Sequence, residues 1–123
     1  MEECLFCKII KKEIESKILY EDEDILVFMD AFPNVEGHAL VIPKKHYEDI
    51  YEIDDETLCK MFKIARIKAK DIMNKLDKKS ATFLFNYGED QAIKHAHLHI
   101  LPNFIKKEAI NKTNDEIYDI LKG

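Results

Sequence analysis

The sequence contains no tryptophan and only three glycines, three prolines and three cysteines in 123 residues. A small, odd number of cysteines argues against the disulfide framework of a small secreted domain. No apolar run reaches the roughly 18 residues that a membrane-spanning helix requires, so we expect no membrane partner. Basic residues do not predominate, because 19 Lys and Arg stand against 24 Asp and Glu, and we therefore expect no nucleic-acid partner.

The N-terminus also lacks the pattern of an export signal, which is a positively charged segment followed by an apolar one. Met1–Cys4 is acidic instead, and we expect a cytoplasmic protein. Hydrophobic residues make up 46% of the chain and charged residues 35%, which fits a soluble folded protein rather than a disordered one. The length suits one domain with a single core, residues 1–123.

The most informative stretch is one in which histidines alternate with apolar residues. His95, His97 and His99 are separated by Ala96 and Leu98. This alternation predicts a strand that starts near residue 93 and carries the three imidazoles on one face. A neutral imidazole can attack phosphorus while a neighbouring one donates a hydrogen bond to the phosphate. The alternatives are a solvated strand face, a loosely ordered metal tract and a three-histidine metalloenzyme site.

The other chemical motif is Cys4-Leu5-Phe6-Cys7. A C-x-x-C pair supplies two of the four ligands of a tetrahedral zinc ion, and redox dithiols share the same spacing. Taken alone, the pair does not separate these two uses.

Periodicity predicts the regular elements. Apolar residues recur at three- and four-residue spacing over residues 54–76, which predicts a long helix, and Thr113 begins a capping box that predicts a short C-terminal one. A short helix is also predicted over residues 8–15. The predicted strands span residues 17–21, 25–29, 38–42 and 81–85, in addition to the histidine strand.

Local sequence alone gives ordinary structural roles to three polar residues. Asp30 precedes Pro33 and suits a turn, while His38 and His46 flank an apolar strand and suit hydrogen-bonded edge positions.

A resemblance changes these assignments. Residues 95–101 are similar to the signature His-φ-His-φ-His-φ-φ of the histidine triad (HIT) family of nucleotide hydrolases and transferases, where φ is apolar. Four further segments resemble the family in the expected order: residues 4–10, 20–22, 28–30 and 37–46. The likeness covers residues 4–102 and is closest to the branch that includes nucleoside phosphoramidases and small bacterial HIT proteins.

The resemblance implies an α+β fold: an antiparallel sheet of about five strands, one long helix and short terminal helices. It also implies a homodimer formed through the long helix and the sheet. The implied activity is hydrolysis or transfer at the α-phosphate of purine nucleoside phosphoramidates or related nucleotide conjugates, including dinucleoside polyphosphates. The chemical step would need no metal.

Catalytic roles follow from the resemblance, position by position. His97 would be the nucleophile that becomes nucleotidylated, and His99 would hydrogen-bond the α-phosphate and assist the leaving group. His38 would support the triad from a neighbouring strand, and His95 counts with the catalytic set as its first member.

Substrate and metal roles follow in the same way. Asp30 would bind the ribose hydroxyls, Phe28 would flank the base, and Asn86 and Gln91 would line the phosphate end together with His99. In a subset of the family's bacterial members zinc is held by a set that corresponds here to Cys4, Cys7, His46 and His95. Two thiolates and two imidazoles make a closed, structural zinc site.

The chain departs from the family before the triad. Residues 86–95 lack two positions, including the family's second glycine, and Ala92 stands where a phosphate-binding serine is common. Glu89 and Asp90 would repel a phosphate if they faced it. These changes favour an alternative function, a zinc-stabilised nucleotide-binding or interaction protein with little turnover.

Overall fold

The computed structural model describes residues 4–123, so the acidic first three residues lie outside the described part. Five strands form one antiparallel sheet in the order β1-β2-β3-β5-β4. The strands are β1 (Ile18–Glu21), β2 (Ile25–Met29), β3 (Ala39–Pro43), β4 (Ala81–Phe85) and β5 (Leu98–Pro102). The helices are α1 (Leu5–Ile10), α2 (Asp55–Leu76) and α3 (Asn114–Leu121). This architecture confirms the predicted α+β fold.

The sheet separates two apolar clusters because its side chains alternate between faces. On one face, Val27, Val41 and Leu98 pack with the buried residues of α2 and α3. On the other face, Phe28 and Leu40 pack with Phe6 and Ile9 of α1. The α1 face therefore has only a short helix over it, which leaves room for a cavity.

The long helix α2 has the sequence signals that its bounds require. The Asp54 carboxylate accepts a hydrogen bond from the amide of Thr57 and caps the first turn. Its buried stripe recurs at three- and four-residue spacing: Met61, Ala65, Ala69 and Ile72. Beneath it, Gly37 has a φ of +83°, and a Cβ there would lie 2.8 Å from the Cδ1 atom of Leu76. A glycine is therefore required at this close approach.

Two predicted elements have wrong boundaries. The histidine strand begins at Leu98, because the preceding residues bond to loops instead of a neighbouring strand; the amide of Ala96 donates to the carbonyl of Tyr47. Helix α1 begins at Leu5, since the Cys4 sulfur caps it by accepting from the Cys7 amide. It ends before Lys12, whose φ is +65°.

Helix α3 has the predicted capping box between Thr113 and Glu116. It buries Ile117 and Leu121 against α2 and the sheet. Among residues 4–123, no helix combines the length and the apolar character needed to cross a bilayer.

Candidate active site and metal centre

A cavity of about 530 Å³ lies on the α1 face of the sheet. Phe6 and Ile9 line it from α1, and Phe28 and Leu40 line it from the sheet. His97 and His99 also line it, as do Asp30 and Asn86. A mostly apolar cavity with a few convergent polar groups is the usual form of a small-molecule site.

Strand register explains how these residues meet. Leu40 pairs with His99 on one side and with Phe28 on the other, and Phe28 pairs with Ile18. Residues that are directly opposite in an antiparallel sheet share a face. One row of paired residues therefore runs across the sheet from the triad to β1, and His99, Leu40 and Phe28 of this row line the cavity.

The imidazole of His97 is held in a defined tautomer. Its Nδ1 atom lies 2.8 Å from the carbonyl oxygen of His95. A carbonyl only accepts, so in the neutral ring Nδ1 carries the hydrogen and Nε2 keeps its lone pair. Phe6 packs edge-on against the ring, with centroids 5.1 Å apart. The chain thus presents a neutral, oriented imidazole at the cavity wall.

A second chain of hydrogen bonds fixes His99. The amide of Asn34 donates to Nδ1 of His38, so the neutral His38 ring carries its hydrogen on Nε2. That Nε2 lies 2.9 Å from Nδ1 of His99 and 3.4 Å from an Asp30 oxygen. His99 is therefore left with its hydrogen on Nε2, an atom that is buried and has no partner among the described residues. An unpaired buried donor in a cavity wall is a ready site for a phosphate oxygen.

Burial keeps these rings neutral. It lowers the pKa of His97 and of His38 below the usual histidine value. Burial, together with the nearby His97 and His38, lowers the pKa of His99 to about 4. Neutral imidazole is the form required of a nucleophile.

Asp30 has two contacts of different kinds. One carboxylate oxygen accepts from the amide of Phe32, as its turn interpretation predicts. The carboxylate also faces His38 and lines the cavity. The two interpretations of Asp30 are therefore compatible.

The structure does not bring all the predicted residues to the cavity. Gln91 is buried elsewhere, because its amide donates to the carbonyls of Glu48 and Ile93, so its predicted place at the phosphate end is wrong. His38 reaches the cavity only through His99, and His95 turns toward the cysteines. Asn86 lines the cavity as predicted.

The shortened loop has one acidic side chain at the cavity. Asp90 lines it and Glu89 does not, and both residues are exposed. Ala92 also lines the cavity and offers no hydroxyl.

The four predicted metal ligands form a separate cluster. Sγ of Cys4, Sγ of Cys7, Nδ1 of His46 and Nδ1 of His95 all lie within 4.8 Å of one another. Three of the four sulfur–nitrogen distances between them are 3.4, 3.2 and 3.6 Å. Tetrahedral zinc with two sulfur and two nitrogen ligands requires such edges of about 3.5 Å.

The chemistry of this donor set also fits zinc. His95 donates from Nε2 to the carbonyl of Pro43, at 2.8 Å, so its Nδ1 lone pair faces the sulfurs. This is the outer-shell arrangement that orients a metal-bound imidazole. Burial and the adjacent Cys4 raise the pKa of Cys7 to about 11, so two neighbouring thiolates need a cation to be stable. Because four protein ligands close the tetrahedron, such an ion would have no open position for water.

Sequence reasoning missed two parts of the cavity wall. Residues 14–17 precede β1 and line the cavity, and so does Asn114 at the start of α3. Neither segment carries a sequence motif. Each reaches the cavity only because α3 packs beside β1. The capping box predicted the helix but not its contact with the site.

The chain belongs to the HIT family: the model of the HIT domain matches residues 11–106. A HIT-like protein of Methanocaldococcus jannaschii is 39% identical, and the match covers 98% of this chain and 99% of that protein. The adenosine 5'-monophosphoramidase of Saccharomyces cerevisiae is 40% identical, with 87% and 66% of the two chains covered.

Solved structures give the same assignment. A zinc-bound histidine triad protein of Mycobacterium smegmatis superposes with a TM-score of 0.89 at 29% identity, covering 98% of this chain and 91% of that one. The Cys4, Cys7, His46 and His95 cluster is compatible with zinc in this chain too.

Proposed function

We propose that this protein hydrolyses nucleotide conjugates at the α-phosphate through a nucleotidyl intermediate on His97. The observation that carries the proposal is the tautomer of His97, whose Nδ1 is bonded to the His95 carbonyl so that Nε2 is free to attack. The HIT family assignment and the yeast phosphoramidase support the same chemistry.

The reaction has two displacements. The lone pair of His97 Nε2 forms a bond to phosphorus while the bond from phosphorus to the leaving nitrogen breaks. That nitrogen takes the Nε2 proton of His99 and leaves as the neutral amine. The unpaired Nε2 hydrogen of His99 donates to a phosphate oxygen or to the leaving atom. Water then attacks phosphorus and returns one proton to Nε2 of His99, the bond between phosphorus and Nε2 of His97 breaks, and neutral His97 is restored with release of the nucleoside monophosphate.

The cavity supports a purine nucleoside monophosphate with an amine, acyl or phosphate leaving group. Phe28 and Leu40 would give an apolar floor for a base, and the Asp30 carboxylate, which also lines the cavity, would accept from ribose hydroxyls. Asn86 follows Phe85, which pairs with Leu98 between the two cavity-lining histidines, and would contribute to the phosphate end. No basic side chain lines that end within residues 4–123, so His99 and Asn86 are the polar contacts proposed for the phosphate.

The metal cluster would hold zinc as a structural ion. Cys4, Cys7, His46 and His95 would be its ligands, and the ion would tie the start of α1 to the segment before β5. Because His95 also offers its carbonyl to His97, fixing that residue would help to orient the nucleophile.

Three broader assignments belong to the proposal. We propose that residues 1–123 form a single HIT domain, which acts in the cytoplasm on small molecules. We also propose a homodimer, supported by exposed Phe62 and Ile67 on α2 and exposed Phe83 on the edge strand β4. Sedimentation of the pure protein tests this, and a monomer at micromolar concentration would contradict it.

The alternative is a zinc-stabilised nucleotide-binding protein with little turnover. Asp90 in the cavity wall and alanine at position 92 favour it, because a carboxylate repels phosphate and an alanine cannot bind it.

A trapping experiment separates the two. The protein is mixed with an adenosine 5'-phosphoramidate, quenched in alkali because phosphoramidates are labile in acid, and weighed by intact mass spectrometry. We expect an added nucleotidyl mass that is absent from His97→Ala and present in the surface variant Cys59→Ala. Nucleotide binding without any adduct or turnover would support the alternative and refute the proposed activity.

A further inference from the structure

We propose that Ser16 and Asn114 form a base-reading pair, which recognises the exocyclic group at C6 of the purine. The inference rests on the proposed function, because it assigns the base end of the same cavity. It makes these two side chains specificity-determining residues, separate from the histidines that act at phosphorus.

Sheet register places Ser16 at the correct end of the cavity. The row of paired residues runs from His99 through Leu40 and Phe28 to Ile18, and Ser16 precedes Ile18 by two residues. The carbonyl of the intervening Lys17 accepts from the amide of Met29, which keeps the segment beside β2. Strands are spaced by about 4.8 Å, so β1 lies about 14 Å across the sheet from the triad strand. Phosphate, ribose and base together can span this separation.

Ser16 has an unused hydrogen-bonding group there. Its Oγ atom is buried and has no hydrogen-bond partner anywhere in residues 4–123, although the residue lines the cavity. Buried polar atoms are normally paired, and an unpaired one costs free energy unless a ligand or water completes it. A hydroxyl both donates and accepts, so it suits either an amino or an oxo group.

Asn114 supplies the second group. Its amide nitrogen donates to the carbonyl of Asp30 at 2.8 Å, which fixes the orientation of the amide. One N–H and the Oδ1 atom remain for a ligand, and Asn114 also lines the cavity. The contact to Asp30 sets this amide next to the residue proposed to bind the ribose.

Helix α3 is joined to the segment around β1 by two polar contacts and by burial of an apolar side chain. The Lys17 ammonium lies 3.0 Å from a carboxylate oxygen of Asp115, and the Tyr118 hydroxyl donates to the carbonyl of Ile18 at 3.4 Å. Ile117 is buried beneath them. Pre-positioned polar groups discriminate well, because a ligand that lacks the matching atom leaves them unpaired.

The test compares two nucleotides that differ at C6. Adenosine 5'-monophosphate carries the amino group, and purine riboside 5'-monophosphate carries only hydrogen. Dissociation constants are measured by calorimetry for the full-length protein. We expect the wild-type protein to prefer the adenosine nucleotide by about five- to tenfold, the value of one neutral hydrogen bond.

Variants assign this preference to the pair. Ser16→Ala should lower the ratio of the two dissociation constants by about twofold or more, while Ser80→Ala should keep it, because Ser80 bonds to Asn103 instead. Asn114→Ala should also lower the ratio, with Asn111→Ala as its control.

The outcomes distinguish the two levels of inference. If both nucleotides bind but the wild-type ratio is near one, or if Ser16→Ala and Asn114→Ala leave the ratio unchanged, the base-reading pair is refuted and the proposed function stands. If neither nucleotide binds, the proposed function is refuted and the pair with it.

Discussion

His38 offers the sharpest test of the hydrogen-bond chain, because its two nitrogens do different things. Nδ1 accepts from the amide of Asn34, and Nε2 donates to Nδ1 of His99. Asparagine places its oxygen near the position of Nδ1, and glutamine places its amide nitrogen near the position of Nε2. His38→Asn therefore keeps the first hydrogen bond, and His38→Gln keeps the second.

The expected magnitudes follow from what each variant leaves unpaired. Each loses one buried hydrogen bond and orphans one polar atom, which costs about 1–3 kcal/mol of unfolding free energy. Turnover should separate them. In His38→Asn the ring of His99 is no longer fixed with its hydrogen on Nε2, and loss of a positioned acid costs about 100-fold in rate. In His38→Gln that tautomer is retained, and we expect a loss below about tenfold.

The assay is steady-state hydrolysis of an adenosine phosphoramidate, with urea unfolding of the same samples. The informative quantity is the ratio of kcat between the two variants at matched stability. Equal losses of kcat in both, or a larger loss in His38→Gln, would refute the tautomer explanation of His99.

Three further predictions concern stability. Stripping metal with a chelator should lower the melting temperature by several degrees, as measured by differential scanning fluorimetry. Cys7→Ser should also lower the melting temperature, and chelator should then have no further effect. An unchanged melting temperature would contradict the zinc assignment. Gly37→Ala should cost about 2–4 kcal/mol from a strained φ and an overpacked contact, whereas Gly88→Ala, with open space around it, should cost about 1 kcal/mol in urea unfolding. Equal costs would show that the contact with Leu76 is unimportant. Stability should fall as the pH drops from about 6.5 toward about 4, because the unfolded chain binds a proton at His99 that the folded chain, with a pKa of about 4, does not. In His99→Asn the free energy of unfolding should change less between pH 7 and pH 5 than in the wild-type protein. An equal change in both would show that burial of His99 is not the cause of the pH dependence.

Elements whose signals are local could be predicted from the sequence. The stripe in α2 and its Asp54 cap need only neighbouring residues, and so does the Thr113 capping box. The alternation around the triad correctly assigned Leu98 to the packed face. The strand itself is shorter than predicted, because the Ala96 amide bonds to the distant Tyr47 carbonyl and not to a strand.

Residue roles were harder to predict than elements. Gln91 matches a polar position of the family, but the shortened loop turns its amide onto two backbone carbonyls. Ser16 has no neighbour in sequence that marks it, and its importance depends on α3 packing beside β1. The Gln91 side chain contacts a carbonyl 43 positions away, and α3 contacts β1 across 100 positions, separations that periodicity does not encode.

The central claim is that phosphorus is bonded to His97 during turnover, and the stereochemical course at phosphorus tests it most directly. A substrate with a chiral α-phosphorothioate is hydrolysed in isotopically labelled water, and the configuration of the product is determined. Two in-line displacements, one by Nε2 of His97 and one by water, predict net retention of configuration. Net inversion would show that water attacks the substrate in one step, and would contradict the account.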